Sequence, residues 1–319
     1  MKILLENITN PALLFFVLGI ISVYFKSDLK VPTNSSKFIS LYLMFAIGFK
    51  GGQELAHENI NREIFLVILT GVMASLLIPI YTFYILRTRF NVYDAGAIAC
   101  SYGSVSAVTF VTAVTYLDTH QYHFHGYMVA IMALMESPPI IMGLLLISLY
   151  QKDASFTAPS KSKLLIHSFT NASVFLILGS MLIGYIADTK QAEGIKPFTN
   201  DLFKGFLAIF LLDMGITSGK NLKAFFSYGW FPVAFSVITP LINGILGSAL
   251  ASAITQDVST RFLFSVLCAS ASYIAVPAAI RMSIPQANVG LLLPMALAFT
   301  FPINITIGMP VYLKLAESF

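Results

Sequence analysis

The sequence predicts an all-α polytopic membrane protein of about ten transmembrane helices in an inverted 5+5 repeat, with crossing, broken helices in spans four and nine. Three observations carry that prediction: a composition too apolar for water, a succession of span-length apolar segments, and an internal repeat with an odd number of spans in each half. Of the 319 residues, 57% are hydrophobic and 11% charged, whereas a soluble domain carries roughly 25% charged residues. Too few polar side chains remain to cover an aqueous surface, so much of the exterior must face lipid. The net charge of +4 does not indicate nucleic-acid binding. The basic residues sit in short loops between apolar segments and form no cluster with interleaved aromatics. Cys100 and Cys268 both fall inside apolar segments, which predicts small buried side chains and no disulfide framework.

A bilayer core requires roughly 20 apolar residues per helix. Segments of that kind fall at 10–26, 36–50, 63–86, 94–117 and 125–150, then at 169–187, 199–218, 226–254, 260–281 and 286–315. The second is expected to be short. The last is expected to be broken by Pro294, Pro302 and Pro310. The first run lacks a small-residue cleavage site and ends at Lys26, so it is expected to remain as a span rather than to be removed as a signal peptide.

The repeat is visible in residues that chance alignment of apolar sequence does not supply. Thr9-Asn10 before the first span answers Thr170-Asn171 before the sixth, and Gly19 answers Gly179. Gly48 and Gly52 answer Gly215 and Gly219, Cys100-Ser101 answers Cys268-Ala269, and Pro139 answers Pro302. The predicted organisation is a first five-helix repeat over 1–150, a linker over 151–168 and a second five-helix repeat over 169–319. With five spans per half, the second half enters from the opposite side, and such inverted repeats belong above all to secondary transporters. Loops after the odd-numbered spans hold 11 of the 19 Lys and Arg residues. That bias places the linker in the cytoplasm and both termini outside a cell membrane crossed many times.

Polar, Gly- or Pro-containing interruptions at matched places in two halves are the best sequence pointer to a transport site. One matched pair is Ser101-Tyr102-Gly103-Ser104-Val105-Ser106, with Thr109, against Ser270-Ala271-Ser272-Tyr273. Helices breaking there would aim free N–H groups at a small anion. Serine hydroxyls and unwound carbonyls are hard oxygen ligands suited to sodium. The second pair is Glu136-Ser137-Pro138-Pro139 against Phe299-Thr300-Phe301-Pro302. Glu136 is the carboxylate deep in the first half's spans, and such a group usually marks an ion or proton path. The prolines are expected to free helical carbonyls. Ser104, Glu136 and Ser272 form the candidate sodium set. Asp213 is expected to pair with a nearby base at a membrane face. His120, His123 and His125 share one outer loop and are expected to be solvated or to meet another subunit, with a metal as the less favoured reading.

By these residues the chain resembles the sodium-dependent bicarbonate transporter family of the cyanobacterial SbtA type, over essentially its whole length. The resemblance is most specific at Tyr102–Ser106, at Ala133-Leu134-Met135-Glu136 with Pro138, and at Arg281-Met282-Ser283-Ile284-Pro285-Gln286-Ala287-Asn288. It implies a scaffold of spans one, two, six and seven, and a mobile core of spans three to five and eight to ten. In the core the fourth and ninth spans would cross and hold the anion with sodium. It also implies a homotrimer and, in cyanobacterial members, a PII-like regulator at the cytoplasmic face. The chain departs from that type at Tyr273, where an acid is usual, at Ala271 and Ala275, at Glu136, which replaces a shorter acid, and in a shorter central loop.

The function expected is therefore sodium-coupled symport of bicarbonate or a closely related small anion, with no organic cofactor. The alternatives are sodium- or proton-coupled transport of a small organic anion, a channel, and an intramembrane serine protease at Gly103-Ser104. The last needs a base within reach of the serine, and all five histidines fall in loops or at span ends.

Overall fold

Inside lipid a backbone N–H or C=O has no water to bond, so each span must satisfy its own ladder as a helix. The computed structural model describes residues 11–58, 61–151 and 172–319, and every regular element among them is helical. In chain order these are α1 (Pro11–Tyr24), α2 (Thr33–Ala56), α3 (Arg62–Leu86), α4 (Val92–Gly103), α5 (Ala107–Thr119), α6 (Tyr127–Glu136) and α7 (Pro138–Tyr150). After the linker come α8 (Ala172–Ile186), α9 (Phe203–Phe225), α10 (Trp230–Ser252), α11 (Val258–Ala269), α12 (Ala275–Ser283) and α13 (Val289–Ser318). Among the described residues, six helical stretches are long and apolar enough to cross a membrane: α3, α4–α5 taken together, α6–α7, Pro197–Lys220, α10 and α13. Shorter apolar helices occupy Leu14–Tyr24, Val174–Ile186 and Val258–Ala269. Large apolar side chains such as Phe65, Leu77, Phe175, Ile183 and Ile238 remain exposed, as a lipid-facing exterior requires. The chain is a polytopic membrane protein.

Expected boundaries and observed ones differ where polar sequence obscured a helix. The second span was expected to be short, at 36–50, yet α2 runs for 24 residues through Gly48, Lys50, Gly52 and Glu54. Small residues let α8 lie against it almost backbone to backbone. A Cβ on Gly52 would stand 2.0 Å from the Met181 carbonyl, and one on Gly184 would stand 2.2 Å from that of Phe49. Close packing thus holds a polar, glycine-rich stretch helical against its own propensity. The other pairing is α1 with α9, where Gly19 and Gly215 face each other. Gly179, which answers Gly19 in the repeat, meets nothing within 4 Å.

The last span was expected to break at its prolines. Instead α13 stays helical by widening into π-turns at Met295–Thr300 and Asn304–Gly308. The wider turns shift the hydrogen-bond register just ahead of Pro302 and Pro310, each of which lacks a donor. Pro138 and Pro139 likewise do not kink a continuous helix. They occupy the first turn of α7 after an interruption at Ser137, where a missing N–H costs nothing. The repeat matches at Thr9-Asn10 and Thr170-Asn171, and nearly all of the linker, lie outside the described residues, as does the side chain of Arg281.

Among the described residues Asp213 meets no base. Its carboxylate accepts from the Ser36 hydroxyl, joining α9 to α2. Of the loop histidines, His123 is exposed as expected, whereas the other two have partners. His120 Nδ1 lies 2.9 Å from the Tyr116 carbonyl at the end of α5. His125 stands between two carboxylates, 3.1 Å from Glu58 and 3.6 Å from Asp257. Glu58 also accepts from the Gly126 N–H at 2.9 Å. No group of three potential metal ligands occurs among the described residues. Hydrogen bonding to Asp257 and Glu58 raises the His125 pKa to about 10, against the opposing effect of burial. A folded-state pKa above the unfolded one means that the stabilisation is fully present below the ordinary value near 6.5 and is lost as pH rises through about 10. The expected outcome is that His125→Gln lowers the melting temperature at pH 7 and that the gap from wild type closes above pH 10. A gap independent of pH would assign His125 a packing role only.

Candidate functional site

The site is built where two spans stop being helical. α4 ends at Gly103, and Ser104–Ser106 are extended before α5 begins. In the second half α11 ends at Ala269, and 270–274 are non-helical before α12 begins. The two breaks meet and bond to each other, at a place called the crossing below. The Ser272 N–H donates to the Ser101 carbonyl at 2.9 Å, and the Ser101 hydroxyl donates to the Ser272 carbonyl at 2.6 Å. The Ser106 N–H donates to the Ser270 hydroxyl at 3.1 Å, which itself donates to the Leu267 carbonyl at 2.9 Å. Buried backbone groups need partners, and here each broken span supplies them to the other.

New helices start immediately beyond. The Ser106 hydroxyl caps α5 by accepting from the Thr109 N–H at 3.2 Å. The Ser272 hydroxyl accepts from the Val276 N–H at 3.3 Å in the first turn of α12. Two helix N-termini, each equivalent to roughly half a positive charge, thus approach one place. That place is a void of about 10 Å³ lined by Val105, Ser106, Ala107, Glu136, Ser272, Tyr273 and Ala275, and closed by Met44 of α2. It has room for about one water-sized body.

Glu136, the last residue of α6, is 6% exposed. Its carboxylate has no hydrogen bond or ion pair to any described residue, although it lines the void. Its carbonyl accepts the Ser104 hydroxyl at 2.8 Å, which ties the α6 break to the crossing. The Tyr273 hydroxyl is buried near Ser106 and makes no hydrogen bond of full geometry. An unpaired carboxylate and hydroxyl oxygens around one small void are hard donors of the kind a small cation prefers, and the flanking helix N-termini are of the sign that attracts an anion.

The structure brings most of the sequence-predicted residues together. Gly103 packs its Cα face against Pro79 and Pro139, with no room for a Cβ. Ala271 is buried in the crossing, and Pro138 opens α7 behind Glu136. Thr300 stands apart from the void. It bonds the Tyr102 hydroxyl at 2.8 Å and donates to the Ser236 carbonyl at 2.9 Å, linking α13, α4 and α10. Ser101, the first residue of the matched motif, makes two of the bonds between the breaks. Two contributors were not singled out from sequence: Met44 lines the void, and Asn304 donates to the Ala269 carbonyl at the end of α11, 2.8 Å away. Asn304 is a buried amide within an apolar span, which is itself a signal. Met44 gave none, since it is one apolar residue among many.

A family model described as the Na+-dependent bicarbonate transporter superfamily matches residues 11–317. The chain belongs to that superfamily. No protein of curated function matches it. Membership in the superfamily makes the chain a transporter and not an enzyme; the Ser104 hydroxyl donates to the Glu136 carbonyl and meets no base among the described residues. Dependence on Na+ at the level of the superfamily identifies sodium as the ion for which a site is to be sought. The residues present fit it, because a carboxylate and hydroxyl oxygens are the hard donors that an alkali cation prefers.

Proposed function

We propose that this member of the superfamily is a sodium-coupled symporter of bicarbonate or a closely related small anion. The observation that carries the reading is the buried, unpaired Glu136 carboxylate facing a void flanked by the N-termini of α5 and α12. Glu136, Ser104 and Ser272, with neighbouring carbonyls, take sodium. The N-terminal N–H groups beyond Ser106 and Ser272 take the anion, and bound sodium lowers the cost of placing that anion beside Glu136. A void of about 10 Å³ is too small for an anion of several heavy atoms, so α2 with Met44 must separate from the crossing during the cycle.

The exchange of partners between halves supports an inverted 5+5 repeat. α1 packs on α9 and α2 on α8, while α3 packs on α4 and α10 on α11. We assign α1, α2, α8 and α9 to a scaffold and the remaining spans to a transport core that moves against it. Three cavities follow one another along α2. The first is lined by Ser36, Ser40 and Met44, the second is the void at Met44, and the third is lined by Ala46, Ile47 and Lys50. A track from one membrane face to the other along the scaffold wall is what a sliding or rocking core needs. The lysine and arginine bias places the Lys50 end outside, with both termini, and the linker in the cytoplasm. Assembly as a homotrimer, and a PII-like partner at the cytoplasmic face, are further expectations from the family resemblance.

A panel of labelled small anions tests the substrate. Proteoliposomes under an inward sodium gradient are expected to prefer bicarbonate over formate, acetate and lactate. Faster uptake of an organic acid that bicarbonate does not inhibit would overturn the substrate, and uptake driven equally by a proton gradient without sodium would overturn the coupling ion.

A further inference from the structure

The third cavity along α2 has a composition that transport at the crossing does not explain. It encloses about 420 Å³ between α2, α5 and the entry to α9, and carries Lys50, Asp118, Asp201 and Lys204 with Thr115. Four charged side chains around one cavity are unusual in a chain with 11% charged residues. Lys50 and Asp118 pair across it at 3.6 Å, joining α2 to α5. Asp201 and Lys204 are exposed and carry no ion pair among the described residues. The cavity is aligned with the crossing. Ala107 lines the central void, and Val114 and Asp118, on the same face of α5, line this cavity; Ala107 and Asp118 are roughly 16 Å apart along the axis. On α2, Met44 and Ile47 make the same connection one turn apart.

We propose that this cavity is an antechamber that gathers both cargo ions, with Lys204 and Lys50 taking the small anion and Asp201 and Asp118 taking sodium before either reaches the crossing. The proposal rests on the symport reading. Mixed charge suits it: a vestibule of one sign would concentrate one cargo and repel the other. The Lys50–Asp118 pair spans scaffold and core, so loading an ion on either partner also loosens a tie between the two bodies.

The test is a split in saturation behaviour in proteoliposomes. Lys204→Gln is expected to raise the KM for bicarbonate about threefold and leave the half-saturating sodium concentration unchanged, while Asp201→Asn does the converse; an exposed charge contributes effects of that size. Both effects should fade as choline chloride is raised toward about 1 M, where screening acts within roughly 3 Å. Wild-type values for both ions in both variants, or a proportional change in both ions in either variant, would overturn the antechamber. If wild-type protein takes up no bicarbonate, it is the symport reading that fails. The split is then read from heat stabilisation of purified protein by sodium chloride and by choline bicarbonate. Asp201→Asn should blunt only the first response and Lys204→Gln only the second, and unaltered responses would again overturn the proposal.

Discussion

Glu136→Gln is expected to abolish sodium-dependent uptake while leaving the protein folded. Glutamine keeps the volume and the packing of α6, and the Ser104 hydroxyl bonds the main-chain carbonyl of residue 136, which the substitution does not touch. What is lost is the charge. In the void the carboxylate has no partner among the described residues to offset its burial, which is the ground for the proposed role in binding sodium. Deleting one member of a buried charge pair costs roughly 2–5 kcal/mol, which corresponds to a loss in sodium affinity of about 30-fold or more. The half-saturating sodium concentration should therefore leave the accessible range. Undiminished sodium-dependent uptake by the variant would remove Glu136 from the coupling site.

A second large effect is expected where α1 packs on α9, away from the void at Glu136. A Cβ on Gly215 would stand 2.0 Å from the Phe16 carbonyl and 3.1 Å from the Gly19 Cα. Backbone atoms on both sides leave no flexible side chain to give way, so α1 and α9 must part. Overpacking of that kind costs about 1–3 kcal/mol, occasionally more, and Gly215→Val should yield little monodisperse protein. Gly179 is the control, because nothing lies within 4 Å of a Cβ there. Gly179→Ala should raise thermal stability slightly, since alanine is favoured over glycine in a helix by up to about 1 kcal/mol. Equal melting temperatures for the Gly215 and Gly179 variants would contradict the close packing of α1 on α9.

Much of this architecture was legible before any coordinates. The length of the apolar runs marked out a polytopic, all-helical chain because lipid leaves the backbone no choice but helix. The Ser104–Ser106 and Ser270–Tyr273 interruptions were legible because polar residues repeated at matched places inside apolar segments are costly and therefore informative. The failures share a cause. α2 was cut short at Lys50 because the helicity of its glycine-rich end depends on contact with α8, which no local pattern encodes. The prolines of α13 were read as breaks because a π-turn that absorbs a missing donor leaves no mark in composition. His125 was expected in solvent or against another subunit because its two carboxylate partners, Glu58 and Asp257, come from distant parts of the chain. Thr300 was assigned to the site by its position in the repeat, whereas its hydroxyl joins Tyr102 to Ser236.

The most direct measurement is uptake of labelled bicarbonate into proteoliposomes with and without an inward sodium gradient, at an alkaline pH where carbonic acid is minor. The account predicts accumulation above the external concentration when sodium is present outside, and collapse of that accumulation when choline replaces sodium. Equal uptake under the two conditions, by folded protein, would contradict sodium-coupled symport through the crossing.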